Sequence, residues 1–497
     1  MTELQVDPRV ERFTSESRRM LIDGEWVESA SGQTFETYNP STGEVLAEVA
    51  MGTTEDVERA VRAARRAFEH GSPWRKLTPS ERGRIVWKIG DLIEENAEEL
   101  AELEALDNGK NVNVAKAADV ALSADQFRYM AGWATKIEGN TLPISAVTNP
   151  GAEFHSYTQR EPVGVVGQII PWNFPLLMAA WKLAPALTCG VTVVLKPAEQ
   201  TPLSALRLGE LMQEAGVPDG VINIVTGFGE LGAHLAAHDD VDKVAFTGST
   251  EVGKSIVEAS TGNLKKVSLE LGGKSPNVVF NDAPRDSAAA GASHAIFFNH
   301  GQCCNAGSRL YIEKDAFDDV VNGVAERARN IKIGPGMDPS SELGPLVSQE
   351  QFDRVSSYLQ EGSSEGAETV VGGGRAGDRG YFIEPTVLTN TSGDMKVVQE
   401  EIFGPVVVAQ PFEDIEEIVS QANDTTYGLA AGVFTSDVSK AHKVAHRLKA
   451  GTVWVNTYHV FDAAQPFGGY KQSGWGREHG HNVLENYLET KSVCIEL

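Results

Sequence analysis

Apolar residues along this chain change their spacing twice, and the changes mark out its parts. Val57–Phe68 repeats its apolar positions with a helical period after Thr54 and ends at Gly71. Thr78-Pro79-Ser80-Glu81 is a capping box with proline at the first helical position, which predicts a helix to about Leu106 with Gly109 as its stop. From Gly164 onward, short runs rich in branched residues (Val165–Ile170, Val191–Leu195, Val221–Val225, Lys243–Phe246 and Val267–Leu271) alternate with helical stretches. Those include Leu203–Ala215, opened by Thr201-Pro202, and Glu251–Ser260. Such alternation predicts an α/β fold with a parallel, doubly wound sheet, whose ligands sit at the strand C-terminal ends. Past Gly272 a second alternating set begins. It has a strand at Asn277–Phe280, a helix at Ala288–Phe298, a strand at Leu310–Ile312 and a helix at Phe317–Ile331, with further units to about Gly474. Tyr487–Ile495 reads as a closing strand. The apolar stretch Val163–Leu195 is broken by Gln168, Pro171, Asn173, Pro175, Lys182 and Pro185, so it reads as a buried strand, turn and helix rather than a membrane span.

Length and charge narrow the class. The chain has 497 residues, 41 % hydrophobic and 23 % charged, which is ordinary globular composition for about three domains. A net charge of −26 repels phosphate backbones and anionic lipid, so neither nucleic acid nor a membrane is an expected partner. The same acidity suits a protein dissolved in concentrated salt, a hypothesis of a halophilic host that full activity at low salt, with no gain in molar potassium chloride, would count against. Four cysteines, Cys189, Cys303, Cys304 and Cys494, are too few for a disulfide scaffold. Met1 to Arg19 is polar and of mixed charge, so no secretory signal is expected and a cytoplasmic setting is.

Several segments carry candidate chemistry. In His300-Gly301-Gln302-Cys303-Cys304-Asn305 the paired cysteines are buried hydrophobes, metal ligands or a nucleophile with its neighbour; no second ligand pair accompanies His300, so no metal is expected. Glu270 closes a strand, where a buried carboxylate can act as general base. In Pro171-Trp172-Asn173-Phe174-Pro175 the prolines stiffen a turn, and a rigid amide at Asn173 can stabilise an oxyanion. Two glycine patterns compete for a dinucleotide phosphate: Gly227-Phe228-Gly229-Glu230-Leu231-Gly232 and Gly248-Ser249-Thr250-Glu251-Val252-Gly253, each following a strand. Lys196 and Glu199 share a strand-end loop suited to ribose hydroxyls, and a negative Glu199 there disfavours a 2′-phosphate. His234 and His238, four apart, lack the glutamate of a zinc motif and read as a solvated helix face. Asn390-Thr391-Ser392 and Asn423-Asp424-Thr425 match glycosylation acceptors and Cys494-Ile495-Glu496-Leu497 a prenylation box, but neither reading fits the remaining chain.

Together these segments resemble the NAD(P)-dependent aldehyde dehydrogenase superfamily over nearly the whole chain. The resemblance is carried by Pro171–Pro175, Lys196-Pro197-Ala198-Glu199-Gln200-Thr201-Pro202, Phe246–Gly253, Leu269-Glu270-Leu271-Gly272-Gly273-Lys274-Ser275-Pro276, Gly301–Arg309, Glu400-Glu401-Ile402-Phe403-Gly404-Pro405 and Pro466-Phe467-Gly468-Gly469-Tyr470-Lys471. It implies Cys304 as nucleophile, Cys303 as its structural neighbour, Glu270 as general base, Asn173 as oxyanion amide, and Lys182 with Glu478 as a proton-relay pair. It implies NAD as cofactor, with NADP less favoured. The implied contacts are Lys196 and Glu199 at the adenine-side ribose, Ser249 within Gly248–Gly253 at the pyrophosphate, and Glu401 with Phe403 at the nicotinamide ribose; Trp172 and Gly229 complete the candidate cofactor residues. Phe174, Trp181, Phe298, Phe461 and Phe467 fall at or near tunnel positions, and His459 and Asp462 near the mouth do not decide the substrate. An aromatic tunnel suits aliphatic or aromatic aldehydes, and betaine aldehyde through cation–π attraction. The implied fold has a Rossmann-like NAD-binding domain (1–138 and 161–272), a catalytic domain (273–474), and a bridging element (139–160 with the strand of 475–497) through which dimers or tetramers form. Rival readings are a coenzyme A-acylating variant, a non-redox cysteine acyl hydrolase, and a protein that kept the fold without turnover.

Overall fold

The computed structural model describes residues 6–497. The first alternating set forms an eight-stranded sheet. Its order is Gly474–Trp475, Lys266–Glu270, Lys243–Thr247, Val165–Ile169, Thr192–Lys196, Ile222–Ile224, Met20–Ile22 and Glu25–Val27. The five middle strands are parallel, and antiparallel strands close both edges. Val165–Ile169 and Thr192–Lys196 are buried throughout, which accounts for their unbroken apolar runs: helices cover both faces of the sheet. The chain starts at Val165–Ile169, builds outward on one side, then returns to lay Lys243–Thr247 on the other. That reversal leaves a crevice beyond the strand C-termini. Pro171-Trp172-Asn173 enters it from one strand and Gly248-Ser249 from the next.

The second set forms a seven-stranded sheet in the order Glu368–Val371, Thr386–Thr389, Val406–Phe412, Arg309–Glu313, Pro276–Val279, Ala430–Phe434 and Thr452–Val455, parallel except at the first strand. A third, antiparallel sheet joins Leu488–Glu496 to Phe154–Pro162 and Thr141–Leu142. A hairpin pairs Thr34–Asn39 with Glu44–Ala50.

Most helices lie where the apolar spacing puts them: Thr54–Phe68, Leu203–Ala215, Thr250–Ala259, Arg285–Phe297 and Phe317–Asn330. Three expectations need correction. The helix opened at Pro79 stops at Glu95 instead of reaching Leu106. Asn96 ends it, with its side-chain Nδ2 donating to the Leu92 carbonyl at 2.8 Å, and a second helix, Ala97–Asp107, follows. An asparagine that bonds its own backbone competes with the helix ladder, and apolar period alone does not register this. Gly474, expected in the second α/β unit, instead begins a short strand that returns to pair with Leu269 and Glu270 of the first sheet. His234 and His238 form a face only partly solvated: both rings lie on the Glu58 carboxylate, at 3.1 and 3.3 Å, with the His234 side chain half-buried and the His238 side chain buried. The stretch Val163–Leu195 resolves into strand, turn, the fully buried helix Pro175–Cys189, and strand; among the described residues no helix is long and apolar enough to cross a membrane.

Candidate active site

A single cleft of about 840 Å³ runs between the two large sheets. It gathers residues that lie far apart in sequence. Trp172, Asn173, Phe174, Trp181, Gly248, Ser249, Glu270, Phe298, Cys304, Glu401, Phe403, Phe461 and Phe467 all line it.

Cys304 is delivered by an unusual turn. After the helix Arg285–Phe297, Asn299, His300 and Gly301 take successive left-handed conformations (φ 48°, 58° and 68°). Backbone of this kind costs on the order of 1–3 kcal/mol per non-glycine residue and persists only where its surroundings hold it. Here they do. Asn299 Nδ2 donates to the carbonyls of Asn173 and Gln302, each at 3.0 Å, and Gln302 Oε1 accepts the Val347 N–H at 3.0 Å. Position 301 demands glycine, because a Cβ there would stand 2.0 Å from the Gly404 carbonyl oxygen. The two adjacent thiols separate sharply in environment. Cys303 is buried, its Sγ donates to Asn305 Oδ1 at 2.8 Å, and burial pushes its thiol up to about 12. Cys304 is half-buried at the cleft floor. Burial, then Cys303, Glu401 and Glu270, hold its thiol well above the ordinary range, which favours the protonated form.

Glu270 ends its strand facing the same cleft, with Oε2 buried and without a partner. Burial, reinforced by Glu478 and opposed by Lys182 and Arg477, raises its carboxyl well above the ordinary value. Gly468 makes room for it, since a Cβ there would meet Glu270 Oε1 at 2.8 Å. Lys182 Nζ and Glu478 Oε1 form a buried ion pair at 2.6 Å that does not line the cleft but acts on Glu270 electrostatically. The Asn173 side chain is 5 % exposed and its Nδ2 donates to the Gln302 carbonyl at 3.0 Å, so the amide is held beside the loop that carries Cys304.

The other end of the cleft fits a dinucleotide. Ser249 caps the helix Thr250–Ala259, its Oγ accepting the Val252 N–H at 3.3 Å, which sets this helix N-terminus at the cleft wall. Gly253 packs that helix on Leu271, where a Cβ would come within 2.6 Å. Glu401 Oε1 accepts the Gly273 N–H at 3.0 Å, and burial raises its carboxyl to about 7. A Cβ at Gly272 would stand 2.2 Å from Glu401 Oε2, so the carboxylate reaches across a surface that only glycine leaves open. Phe403 is left-handed (φ 61°), with its ring edge-on to Trp172 at 5.2 Å. Lys196 and Glu199 pair at 3.2 Å outside the cleft lining, and burial lowers the lysine while Glu199 opposes. Gly229 also lies outside the lining, exposed at the start of the helix Gly229–Ala237 with nothing within 4 Å of a Cβ.

Some residues at the site gave no local signal in the sequence. Gln351 Nε2 donates to the Phe403 carbonyl at 2.7 Å and Arg354 to the Glu401 carbonyl at 2.9 Å, holding the loop that presents Glu401. Both come from the helix Gln349–Glu365, whose amphipathic pattern shows only that it packs. His294 lines the tunnel with His459, ring centroids 5.4 Å apart. Burial lowers both, His459 to about 3, so neither carries charge near neutrality. Asp462 is exposed and outside the lining. No cluster of metal-ligating side chains occurs among the described residues.

A doubly wound sheet with a helix N-terminus at its switch point, facing a thiol and a raised carboxyl across one cleft, is the arrangement of a nucleotide-dependent enzyme. The aldehyde dehydrogenase family model matches residues 26–493. The DhaS protein of Bacillus subtilis is 53 % identical over 495 residues, 99 % of each chain. Human mitochondrial aldehyde dehydrogenase is 52 % identical over 481 residues, 96 % of this chain and 92 % of its own. The NAD+ complex structure of aldehyde dehydrogenase from Bacillus cereus superposes with a TM-score of 0.97 at 52 % identity, covering 100 % of both chains. The chain belongs to the aldehyde dehydrogenase family.

Proposed function

We infer that this NAD-dependent aldehyde dehydrogenase oxidises an uncharged aldehyde to its carboxylic acid through a thioester on Cys304. The observation that carries the reading is the shared cleft, which places one accessible thiol, one raised carboxyl and one fixed amide beside a helix N-terminus. Cys304 Sγ attacks the aldehyde carbon as its thiol gives up its proton to solvent water, leaving Glu270 unprotonated for the later step. The oxygen that becomes negative accepts hydrogen bonds from Asn173 Nδ2 and the Cys304 N–H. NAD, when bound, accepts the hydride whose loss turns the Cys304 hemithioacetal into a thioester. Glu270 then takes a proton from water as that water attacks the thioester, and the acid leaves with Cys304 restored. Lys182 and Glu478 supply the charged pair through which Glu270 can shed its proton.

The aromatic end of the cleft supports an uncharged substrate. Phe174, Leu177, Met178, Trp181, Phe298, Phe461 and Phe467 form its wall, with His294 and His459 neutral beside them. Trp181 is already packed against His479 and Phe467, at 3.9 and 5.3 Å between ring centroids, which takes up ring surface that a quaternary ammonium needs. A panel read at the reduced-nicotinamide band tests this. Medium-chain and aromatic aldehydes should exceed betaine aldehyde by about tenfold or more in kcat/KM, the scale of a missing cation–π cage. The reverse order would restore betaine aldehyde, and coenzyme A-dependent product would indicate an acylating variant.

Glu199 supports the choice of NAD over NADP. Its carboxylate beside Lys196 repels a 2′-phosphate. Glu199→Gln should raise kcat/KM for NADP by about tenfold, the scale of one removed charge–charge repulsion. Unchanged selectivity would remove Glu199 from that role. We assign the first sheet to cofactor binding, the second to catalysis, and the sheet of Leu488–Glu496 to subunit contact. An unpaired edge there suits a dimer or tetramer, which light scattering would read.

A further inference from the structure

The end of the helix Ala97–Asp107 and the residues after it bury Glu104, Asp107, Asn108 and Lys110, each at 1 % exposure or less. None faces the reacting thiol. Burying such groups is costly unless each finds a partner; two of the four hydrogen-bond to one turn, and a third lies against a ring of the same turn. Glu104 Oε1 accepts the Leu176 N–H at 3.1 Å. Asn108 Nδ2 donates to the Trp172 carbonyl at 2.8 Å. Lys110 Nζ, ion-paired with Asp119, lies 4.0 Å from the centroid of the Phe174 ring. Residues 172, 174 and 176 bracket Asn173. The helix Pro175–Cys189 has no side-chain cap of its own at Phe174, so Glu104, 72 residues away in sequence, satisfies its first turn.

We propose that Glu104, Asn108 and Lys110 are positioning residues for the reaction, a clamp that fixes the direction of the Asn173 amide. The proposal rests on the oxyanion role given to Asn173 above. Donors stabilise a developing oxyanion only when they are fixed in advance, and a misplacement of about 1 Å can cost on the order of a hundredfold. Asn299 and the Gln302 carbonyl hold Asn173 from the cysteine loop; the clamp holds the same turn through its neighbours Trp172, Phe174 and Leu176. Burial and Asp119 raise Glu104 to about 7, against Lys110, so an acceptor at Oε1 matters more than a full negative charge.

Kinetics and melting curves of Asn173→Ala, Asn108→Ala, Glu104→Ala and Glu104→Gln, with the double variants, test the clamp. Asn173→Ala should lower kcat on the order of a hundredfold. Asn108→Ala and Glu104→Ala should each lower kcat about tenfold, with KM for NAD unchanged, and Glu104→Gln, which keeps the acceptor, should recover most of the loss. In the Asn173→Ala background the same two changes should cost nothing more, because the amide they aim is gone. Fold-losses that multiply in that background overturn the clamp, as does full kcat in Asn108→Ala. Should an alanine variant not fold, Asn108→Asp, of equal volume but with an acceptor set against the Trp172 carbonyl, takes its place. Full kcat in Asn173→Ala alone would instead sink the oxyanion reading.

Discussion

Cys304→Ala loses aldehyde-dependent NAD reduction by roughly four orders of magnitude or more, the scale on which removing a covalent nucleophile acts, while Cys303→Ala keeps substantial turnover. The two sulfurs are neighbours in sequence, so the contrast tests geometry rather than composition. Cys303 lies in the core, with its proton held by Asn305. Its removal leaves a small cavity and an unpaired amide oxygen, a stability effect of about 1–3 kcal/mol that melting would show. Cys304 stands half-buried in the cleft with Glu270. Mass spectrometry after treatment with a thiol-directed electrophile should find the adduct on Cys304, faster at higher pH, because burial and the nearby carboxylates hold that thiol above its ordinary value and only the ionised form reacts. Full turnover in Cys304→Ala, or an adduct confined to Cys303, would reverse the assignment.

What could be read from the residues alone follows from how local the physics is. The parallel strands and most helices were legible because each is specified within about a dozen positions by its own apolar spacing and caps. Thr78-Pro79-Ser80-Glu81 carries its helix start in four residues, and Glu81 indeed accepts the Thr78 N–H at 2.8 Å. Asn96 shows the limit of such reading, because one side chain bonding to Leu92 divides a helix whose apolar pattern runs on. At the site, local chemistry left Cys303 and Cys304 equivalent. What distinguishes them is the left-handed turn through Asn299, His300 and Gly301, and that turn depends on Asn173, Gly404 and Val347 from other parts of the chain. The two glycine patterns were likewise equal as patterns. Only the folded chain shows that Gly248 and Ser249 reach the cleft while Gly229 does not. Glu104, Asn108 and Lys110 carry no local signal in the sequence; that all three are buried is a property of the folded chain.

Glu270→Gln separates the two halves of the reaction. The amide keeps the volume beside Gly468 and removes the ability to take a proton. If Glu270 activates the hydrolytic water, the variant should still form the thioester and release about one equivalent of reduced cofactor in a burst, then turn over some 100- to 10,000-fold more slowly, the usual contribution of a general base. Burial and Glu478 raise the Glu270 carboxyl well above the ordinary range. The base form therefore accumulates only as pH rises, so steady-state turnover of the intact enzyme climbs toward alkaline pH and falls on acidification. In the variant the slow phase should lose that slope, because the group that produced it no longer titrates. Adding hydroxylamine, which attacks a thioester without needing a base, should restore the slow phase and not the burst. A variant with an unchanged steady-state rate would remove Glu270 from deacylation. A variant with no burst would instead place it in the attack step, where the same raised carboxyl accepts the proton of Cys304.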